Sequence, residues 1–502
     1  MPRKLFIETF GCQMNVLDSE LVVGQLLSRG FETTPDRDRA DVVIYNTCSV
    51  REHAEQKVWS RLGELRDART LKPELVIGVI GCMAERDSTN IFQRFPHVDI
   101  LCGPAELDKL PAMVVNAVTQ RVEAASNTRA PALSAQRQVA LMGSTARRSS
   151  TQDAAREIDS LESLDLSRAI SPADEQTQAY VRITRGCNKF CTYCVVPYTR
   201  GEEVHRPPAN IIDEVRKLAD AGIMEVTLLG QTINHYAFNH GDGRETSFAE
   251  LLHQIHEAVP HLPRLRFVTS FPRDFTDEAL QAMRDCERIC RYLHAPAQHG
   301  NDRILKLMNR GYTAQQYRDF VGRARQYMPD VTIASDFIVG FPTETDNEFD
   351  QTMLLVRDCR FKNSFIFKYS PRPGTVAIKR FDDDIPDVVK KRRNNDLLAV
   401  QGEISLELNR ALIGQSVEVI VEGQSKLVSK RTAYPSSNVE LGKGFGPRDQ
   451  GDATVQLVGR TRGDHIIVFD GTPELIGRIV EVDVVDAQSM TVFGRLPATV
   501  EA

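Results

Sequence analysis

Nowhere does this chain carry an apolar run approaching the roughly 20 residues needed to cross a bilayer, and residues 1–8 show no apolar leader core. Both absences point to a cytoplasmic protein with no membrane partner. Charge of one sign is also lacking: the net value is only −6. Without a global basic field, any nucleic-acid contact must come from local patches. Cysteine is too sparse for a secreted disulfide scaffold, at ten in 502 residues. Free thiols in a reducing compartment are the expectation. No internal repeat is present, which excludes a solenoid. What remains is globular composition, 41% hydrophobic and 26% charged, in a chain long enough for roughly two to four domains.

The pattern of apolar residues divides the chain. Over the first hundred or so residues, β-rich runs at 4–9, 41–45 and 75–80 alternate with helical spacing at 19–28 and 54–66. Such alternation predicts a doubly wound parallel α/β domain over 1–120. Residues 121–175 are rich in Ala, Ser, Thr, Gln and Arg, include Arg147 and Arg148, and read as a flexible linker with a transient helix near 154–166. The βα alternation returns over 176–408, with strands at 180–183, 225–229, 265–268, 292–294, 331–334 and 363–369 and helices such as 211–221, 275–285 and 314–327. Six or so βα units predict a full or partial barrel with its site at the C-terminal strand ends. Over 409–497 short strands and glycine-rich turns predict a small antiparallel β-barrel of OB-like size.

Three cysteines, Cys187, Cys191 and Cys194, stand at C-x3-C-x2-C spacing just after the first barrel strand. This loop can wrap one corner of an iron–sulfur cube, three thiolates holding three irons and leaving the fourth open to a small molecule. A zinc knuckle and buried free thiols are the alternatives. Zinc generally needs a fourth Cys or His nearby, and none follows at short spacing.

Cys12, Cys48 and Cys82 are far apart in sequence, but each falls just beyond a predicted strand of the first domain. In a parallel sheet those strand ends share one edge, where ligands bind. Gly11 and Gly81 would allow close approach there. Small apolar filler is the alternative, but three cysteines with one placement favour a second three-thiolate cluster. Cys102, Cys286, Cys290 and Cys359 lack this placement; Cys286 and Cys290, at i,i+4, are expected on one helix.

Taken together, Gly11-Cys12-Gln13-Met14-Asn15, Asn46-Thr47-Cys48-Ser49-Val50-Arg51, Gly81-Cys82-Met83-Ala84, the Cys187 loop with Tyr193 in its last gap, and the final barrel resemble the methylthiotransferase family of radical S-adenosylmethionine (SAM) enzymes. The barrel resembles that family's RNA-binding TRAM domain. The Gly-Cys-Gln-Met-Asn run is most similar to the branch acting on isopentenyladenosine in tRNA. The resemblance implies two [4Fe-4S] clusters. One, at Cys187, Cys191 and Cys194, would cleave SAM to a 5′-deoxyadenosyl radical. The other, an auxiliary cluster at Cys12, Cys48 and Cys82, would carry the sulfur. It implies that N6-isopentenyladenosine next to the tRNA anticodon becomes its 2-methylthio derivative, with tRNA and SAM as partners, an unidentified electron donor, and no need for more than a monomer. Alternatives are a methylthiotransferase for threonylcarbamoyladenosine or a ribosomal-protein aspartate, and, in another class, a non-catalytic tRNA-binding iron–sulfur protein.

Other matches suggest contacts. Tyr193, Asp336 in Ser335-Asp336-Phe337, and Arg372 in Ser370-Pro371-Arg372 are candidates to face SAM, with the RNA as the alternative for Arg372. A capped strand end is the alternative for Asp336. Arg460 and Arg462, on a tight turn, are candidates to hold RNA, with a solvated turn as the alternative, and the run 390–393 could add backbone contacts or be a solvated charge run. Some positions depart from the family pattern: Phe271 stands where histidine is usual, Thr343 where glycine is common, His205 where serine is usual, and the segment Ala295-Pro296-Ala297-Gln298-His299-Gly300 is also atypical.

Overall fold

The computed structural model describes residues 2–49, 52–126, 136–142, 160–168, 177–425 and 454–497. Strands rich in β-branched residues build the first domain: β1 (Arg3–Thr9), β2 (Phe31–Thr33), β3 (Val42–Thr47), β4 (Val76–Gly81), β5 (Ile100–Cys102) and β6 (Gln138–Ala140). All pairings are parallel, in the order β2-β1-β3-β4-β5-β6. Central strands β3 and β4 are buried at every position, which is why they read as continuous apolar runs rather than alternating ones. Helices α1 (Gln13–Leu27) and α4 (Leu110–Ser126) pack on one face, and α2 (Glu52–Leu71) and α3 (Cys82–Arg94) on the other. Strand order reverses between β1 and β3, the switch point where open α/β sheets bind ligands. Register brings the strand ends level: Thr9 faces Asn46, and Thr47 faces Gly81.

The spacer expected over 121–175 is, in its described parts, built into the fold. Helix α4 runs on to Ser126, with the buried Arg121 donating from Nε to Asp99 at 2.9 Å. Strand β6 extends the sheet, and α5 (Ser160–Leu166) is pinned by buried carboxylates. Glu162 meets Arg206 at 2.7 Å and Asp165 meets Arg182 at 2.6 Å. Leu161 and Leu164 of the same helix are also buried in the apolar core of the first domain, so charge and apolar contact together hold this segment. The remainder, including Arg147 and Arg148, lies outside the described residues.

The central domain runs from β7 (Gln178–Arg182) to β16 (Asn363–Lys368). After β7 come a short antiparallel pair, β8 (Thr184–Arg185) and β9 (Val204–His205), then β10 (Glu225–Leu229) and the hairpin β11 (Ala237–Asn239) with β12 (Glu245–Ser247). Strands β13 (Arg264–Phe267), β14 (Tyr292–His294) and β15 (Thr332–Val339) follow. Parallel sheets β7-β10-β13 and β14-β15-β16 join where Leu265 bridges to Ile289. The result is a six-stranded partial barrel with β7 and β16 at its two ends. Helices α6 (Val196–Thr199), α7 (Pro208–Asp220), α8 (Phe248–Ala258), α9 (Asp277–Asp285), α10 (Asp302–Leu307), α11 (Ala314–Tyr327), α12 (Asp346–Cys359), α13 (Val376–Arg380) and α14 (Asp387–Arg410) complete it. Several are started by side-chain caps; in α8, α11 and α12 a capping box satisfies orphan N–H groups in both directions. Inner-face residues Tyr180, Leu229 and Val268 join the apolar core of the first domain, so that domain sits against the inside of the half-barrel.

Two expectations change here. Cys286 caps the C-terminus of α9 and Cys290 lies in the loop before β14, so they do not share a helix. Within 390–393, Lys390 and Arg393 are buried, tied to Asp383 and to Glu344 and Asp346, and only Lys391 and Arg392 face solvent.

The departure at Thr343 has a backbone origin. Its φ is +67°, a left-handed conformation that is an outlier for a β-branched residue. Arg303 and Asp384 hold its carbonyl and N–H, at 2.7 and 2.8 Å. Thr343→Gly is expected to stabilise the protein by about 1 kcal/mol, because relief of the left-handed strain exceeds the entropy cost of glycine. A rise in the denaturation midpoint checks this, and an unchanged or lower midpoint contradicts it.

The C-terminal strands β17 (Ser416–Gln424), β18 (Val455–Thr461), β19 (Ile466–Gly471), β20 (Ile479–Ala487) and β21 (Val492–Arg495) close into a barrel in the order β17-β18-β19-β21-β20. Among the described residues, no helix is long and apolar enough to cross a membrane.

Candidate active site

All six cysteines singled out from the sequence line one cavity of about 670 Å³, of a size to enclose a small molecule. Its walls come from every domain. Cys12 caps α1 after β1, Cys48 leaves β3, and Cys82 begins α3 directly after β4. Cys12 and Cys82 therefore stand at helix N-termini. Gly11 (φ +142°) and Gly81 (φ +91°) make the approach possible: a Cβ on Gly11 would lie 2.6 Å from Cys48 Cβ, and one on Gly81 2.5 Å from the Thr47 carbonyl. Asn15 braces the Cys12 turn, accepting from Cys12 Sγ at 3.2 Å and donating to Asn46 Oδ1 at 2.9 Å and Thr47 O at 3.0 Å.

Across the cavity, the Cys187–Cys194 loop lies beyond β7 at the C-terminal rim of the half-barrel. Cys187 donates its N–H to Gly201 O, and a turn joins Cys194 to Cys191. Enclosure in protein pushes the Cys187 and Cys194 thiols above the ordinary cysteine value. Bare, they would stay protonated; an electrophilic iron would hold them as thiolates.

Among the described residues, no three His, Cys, Asp or Glu side chains are grouped as ligands of a single ion. A zinc knuckle would require such a group. Three thiolates on a cube each hold a different iron, so wider spacing around a cavity suits that donor set. The residues present fit two three-thiolate clusters.

Fixed cations flank both sets. Arg200 lines the cavity and donates to Asp18 at 2.9 Å. Burial alone would lower its pKa, but Asp18 and the Cys82 and Cys12 thiols outweigh that and raise it. Arg310 contacts Cys191 Sγ at 3.3 Å. Neither arginine carried a sequence signal, because each meets its cysteines only through the fold.

Of the softer candidates, Tyr193 and Asp336 line the cavity. Asp336 lies within β15 rather than beyond a strand, and its Oδ1 is 3.1 Å from His294 Nε2. Burial opposes protonation of His294, but Asp336 outweighs it and raises the imidazole pKa. Arg372 is not at the cavity; it ties the half-barrel to the first domain through Glu55 at 2.9 Å.

The Arg460–Arg462 turn also differs from expectation. It plugs the N-terminal end of the half-barrel instead of presenting two free arginines. Arg266 donates to Thr461 O at 3.2 Å, Thr332 to Gly463 O at 2.8 Å, and Arg462 to Glu287 O. Arg460 reaches the cavity but is paired with Glu422 at 3.0 Å and Asp464 at 2.7 Å.

This plug should be acid-sensitive. Burial and nearby Lys362 lower His465 to about 4, against a smaller opposing effect of Asp464. For Asp464, burial works against ionisation, but Lys362, Arg460 and Arg266 overcome it and lower the carboxyl to about 2. Both groups bind protons more readily in the unfolded chain, so stability falls as pH falls. The His465 contribution, about 3 kcal/mol, is complete above about pH 6.5 and lost towards pH 4; the Asp464 contribution, about 2 kcal/mol, is lost between about pH 4 and 2. His465→Gln should flatten the pH 6.5 to 4 limb of the thermal midpoint relative to the unsubstituted protein. Parallel curves would contradict the assignment.

Three known families match in turn along the chain. Residues 4–103 match the model described as uncharacterized protein family UPF0004, residues 181–356 the radical SAM superfamily, and residues 450–496 the TRAM domain. The tRNA-2-methylthio-N(6)-dimethylallyladenosine synthase of Rhodopirellula baltica is 43% identical over 498 residues, 99% of this chain and 96% of that protein. The protein of the same name from Neisseria meningitidis serogroup A is 38% identical over 496 residues, 98% and 99% of the two chains. Among solved structures, the radical SAM methyltransferase TsrM from Kitasatospora setae is similar with a TM-score of 0.49 and 16% identity, over 75% of this chain and 77% of that one. With three thiols from each of two domains around one cavity and whole-length identity of this order, the chain belongs to the tRNA-2-methylthio-N(6)-dimethylallyladenosine synthase family, radical SAM enzymes with a TRAM domain.

Proposed function

We propose that this chain, in the cytoplasm, converts N6-isopentenyladenosine next to the tRNA anticodon to its 2-methylthio derivative. The carrying observation is that two three-cysteine sets line a single cavity. Cys187, Cys191 and Cys194 would hold one [4Fe-4S] cluster and Cys12, Cys48 and Cys82 the other. When bound, these groups and SAM supply the radical chemistry that breaks an inert aromatic C–H bond and the sulfur and methyl group that replace the hydrogen.

The protein's own part is to enclose, orient and balance charge. The first domain seals the inside of the half-barrel and keeps water from the reacting atoms. Arg200 and Arg310 supply positive charge beside the thiolates. Tyr193 and Asp336 would contact SAM, with His294 orienting the Asp336 carboxylate. Electrons would come from an external one-electron donor, and the three-part chain would act as a monomer.

Support for the isopentenyl substituent comes from the cavity wall. Phe365, Phe367 and Met490 line it while remaining 46, 36 and 69% exposed, an unusual cost for large apolar groups unless a ligand covers them. A five-carbon apolar chain suits that wall. The carboxylate of threonylcarbamoyladenosine suits it less, because lining cations Arg266, Lys362 and Arg460 are already paired with Glu225, Asp464 and Glu422. Mass spectrometry of tRNA nucleosides from a strain lacking this gene tests the reading. Accumulation of isopentenyladenosine with loss of its methylthio form is expected, and an unchanged methylthio level would overturn it.

A further inference from the structure

We infer that Arg310 is a positioning residue that raises the reduction potential of the cluster held by Cys187, Cys191 and Cys194, an inference that rests on the cluster reading above. The side chain is buried, 5% exposed, beyond α10. Each part of its fork is fixed. Nη2 donates to Pro296 O at 2.7 Å and Nε to Tyr312 Oη at 2.9 Å. Its guanidinium carbon lies 4.5 Å from the centroid of the Phe271 ring. That leaves Nη1 directed at Cys191 Sγ, 3.3 Å away, with Tyr193 Oη at 3.5 Å.

Among the described residues Arg310 forms no ion pair with a carboxylate, whereas Arg182, Arg206 and Arg266, similarly buried, each have at least two. A buried cation without a counter-charge is costly. The natural counter-charge here is a thiolate-ligated cluster, and the contact is made to one of its ligand atoms. Two other cluster cysteines have neutral hydrogen-bond contacts: Cys187 Sγ meets Thr232 Oγ1 at 3.6 Å, and Cys12 Sγ meets Asn15 Oδ1 at 3.2 Å.

The direction of the effect follows from charge. Gaining one electron from an external one-electron donor makes the cluster more negative by one unit. A fixed cation with an N–H directed at a ligand sulfur stabilises that reduced state more than the oxidised one, and does so strongly where water is excluded. Phe271 has a part in this arrangement. Its ring supports the guanidinium from one face without offering a competing acceptor, so an aromatic at this otherwise divergent position serves the same contact.

The test is an anaerobic redox titration of the reconstituted full-length protein with dithionite, followed by electron paramagnetic resonance. The signal that changes on adding SAM identifies this cluster. In Arg310→Gln, a ratio of reduced to oxidised cluster at least tenfold lower is expected at the potential where the unsubstituted protein is half reduced, a downward shift of about 59 mV or more for one electron. Arg310→Lys, which keeps the charge but not the fork, should shift by less. An Arg310→Gln protein with its full iron content and an unmoved midpoint would show that Arg310 only packs. If the glutamine variant holds no cluster, the lysine variant decides: a lower midpoint supports the inference and an unchanged one overturns it. Loss of iron from both variants also overturns it, in favour of a purely structural role. Absence of any SAM-responsive signal in the unsubstituted protein would instead defeat the functional reading itself.

Discussion

Replacing Cys12, Cys48 and Cys82 together by alanine is expected to lower iron from about eight to about four per chain after anaerobic reconstitution, and to abolish formation of the methylthio nucleoside while leaving reductive cleavage of SAM. Cys187, Cys191 and Cys194 stand in a separate loop of the half-barrel, across the cavity from the first domain. They should therefore retain their own cluster. The reciprocal triple substitution should also leave about four irons but lose both cleavage and product. Iron analysis, Mössbauer spectroscopy and product quantification on the two proteins separate these outcomes. If either triple variant retained all its iron, or if the first still made product, the division of labour between the two sets would be wrong.

Arg182→Met is expected to cost about 3–5 kcal/mol, the usual penalty for stripping the partner from buried charges. Arg182 lies on β7, essentially without solvent contact. It donates to Asp18 of α1 at 2.9 Å and to Asp165 of α5 at 2.6 Å. Burial would raise the Asp165 carboxyl, but Arg182, Arg206 and Arg185 overcome that and lower its pKa. The carboxylate is therefore ionised in the folded protein and left partly unpaired by the substitution. Asp18 also holds Arg200 at 2.9 Å, so one arginine joins the barrel, the first domain and the wall of the cavity. Denaturant unfolding should show the loss of stability. Adding Asp165→Asn should recover part of it, giving a non-additive double-mutant cycle. A loss below about 1 kcal/mol would mean the network is solvated rather than buried.

Much of the site was legible because the relevant signals were local. The spacing of Cys187, Cys191 and Cys194 is set by one loop. The placement of Cys12, Cys48 and Cys82 follows from the rule that parallel strands end on one edge, and the register of Thr9, Asn46 and Gly81 bears out that common edge. Apolar runs marked the buried strands well, with β10 and β14 matching their expected bounds. Strand β21, only four residues long, was missed, whereas α5 falls within the helix expected near 154–166 and is fixed by Glu162 and Asp165 together with Leu161 and Leu164. The arginines show the same limit. Arg460, Arg462 and Arg372 have the composition of ligand-binding residues, yet Arg460 is paired within its own barrel and the other two bridge domains, while the arginine that touches a cluster cysteine, Arg310, sits in an unremarkable run.

Composition and spacing by themselves determined the parallel α/β start, the barrel, the small β-domain and the two sets of three thiols. Those depend on short-range patterns: strand and helix periodicity, and ligand spacing in one loop or at one sheet edge. Only the tertiary structure decided that both sets share one cavity, that the C-terminal turn plugs the half-barrel, and which arginines meet cysteines. The reason is physical. Domain placement here rests on a shared apolar core and on buried ion pairs between residues as far apart as Asp18 and Arg182, and a charged residue in sequence carries no mark of whether its partner is water, RNA or another domain.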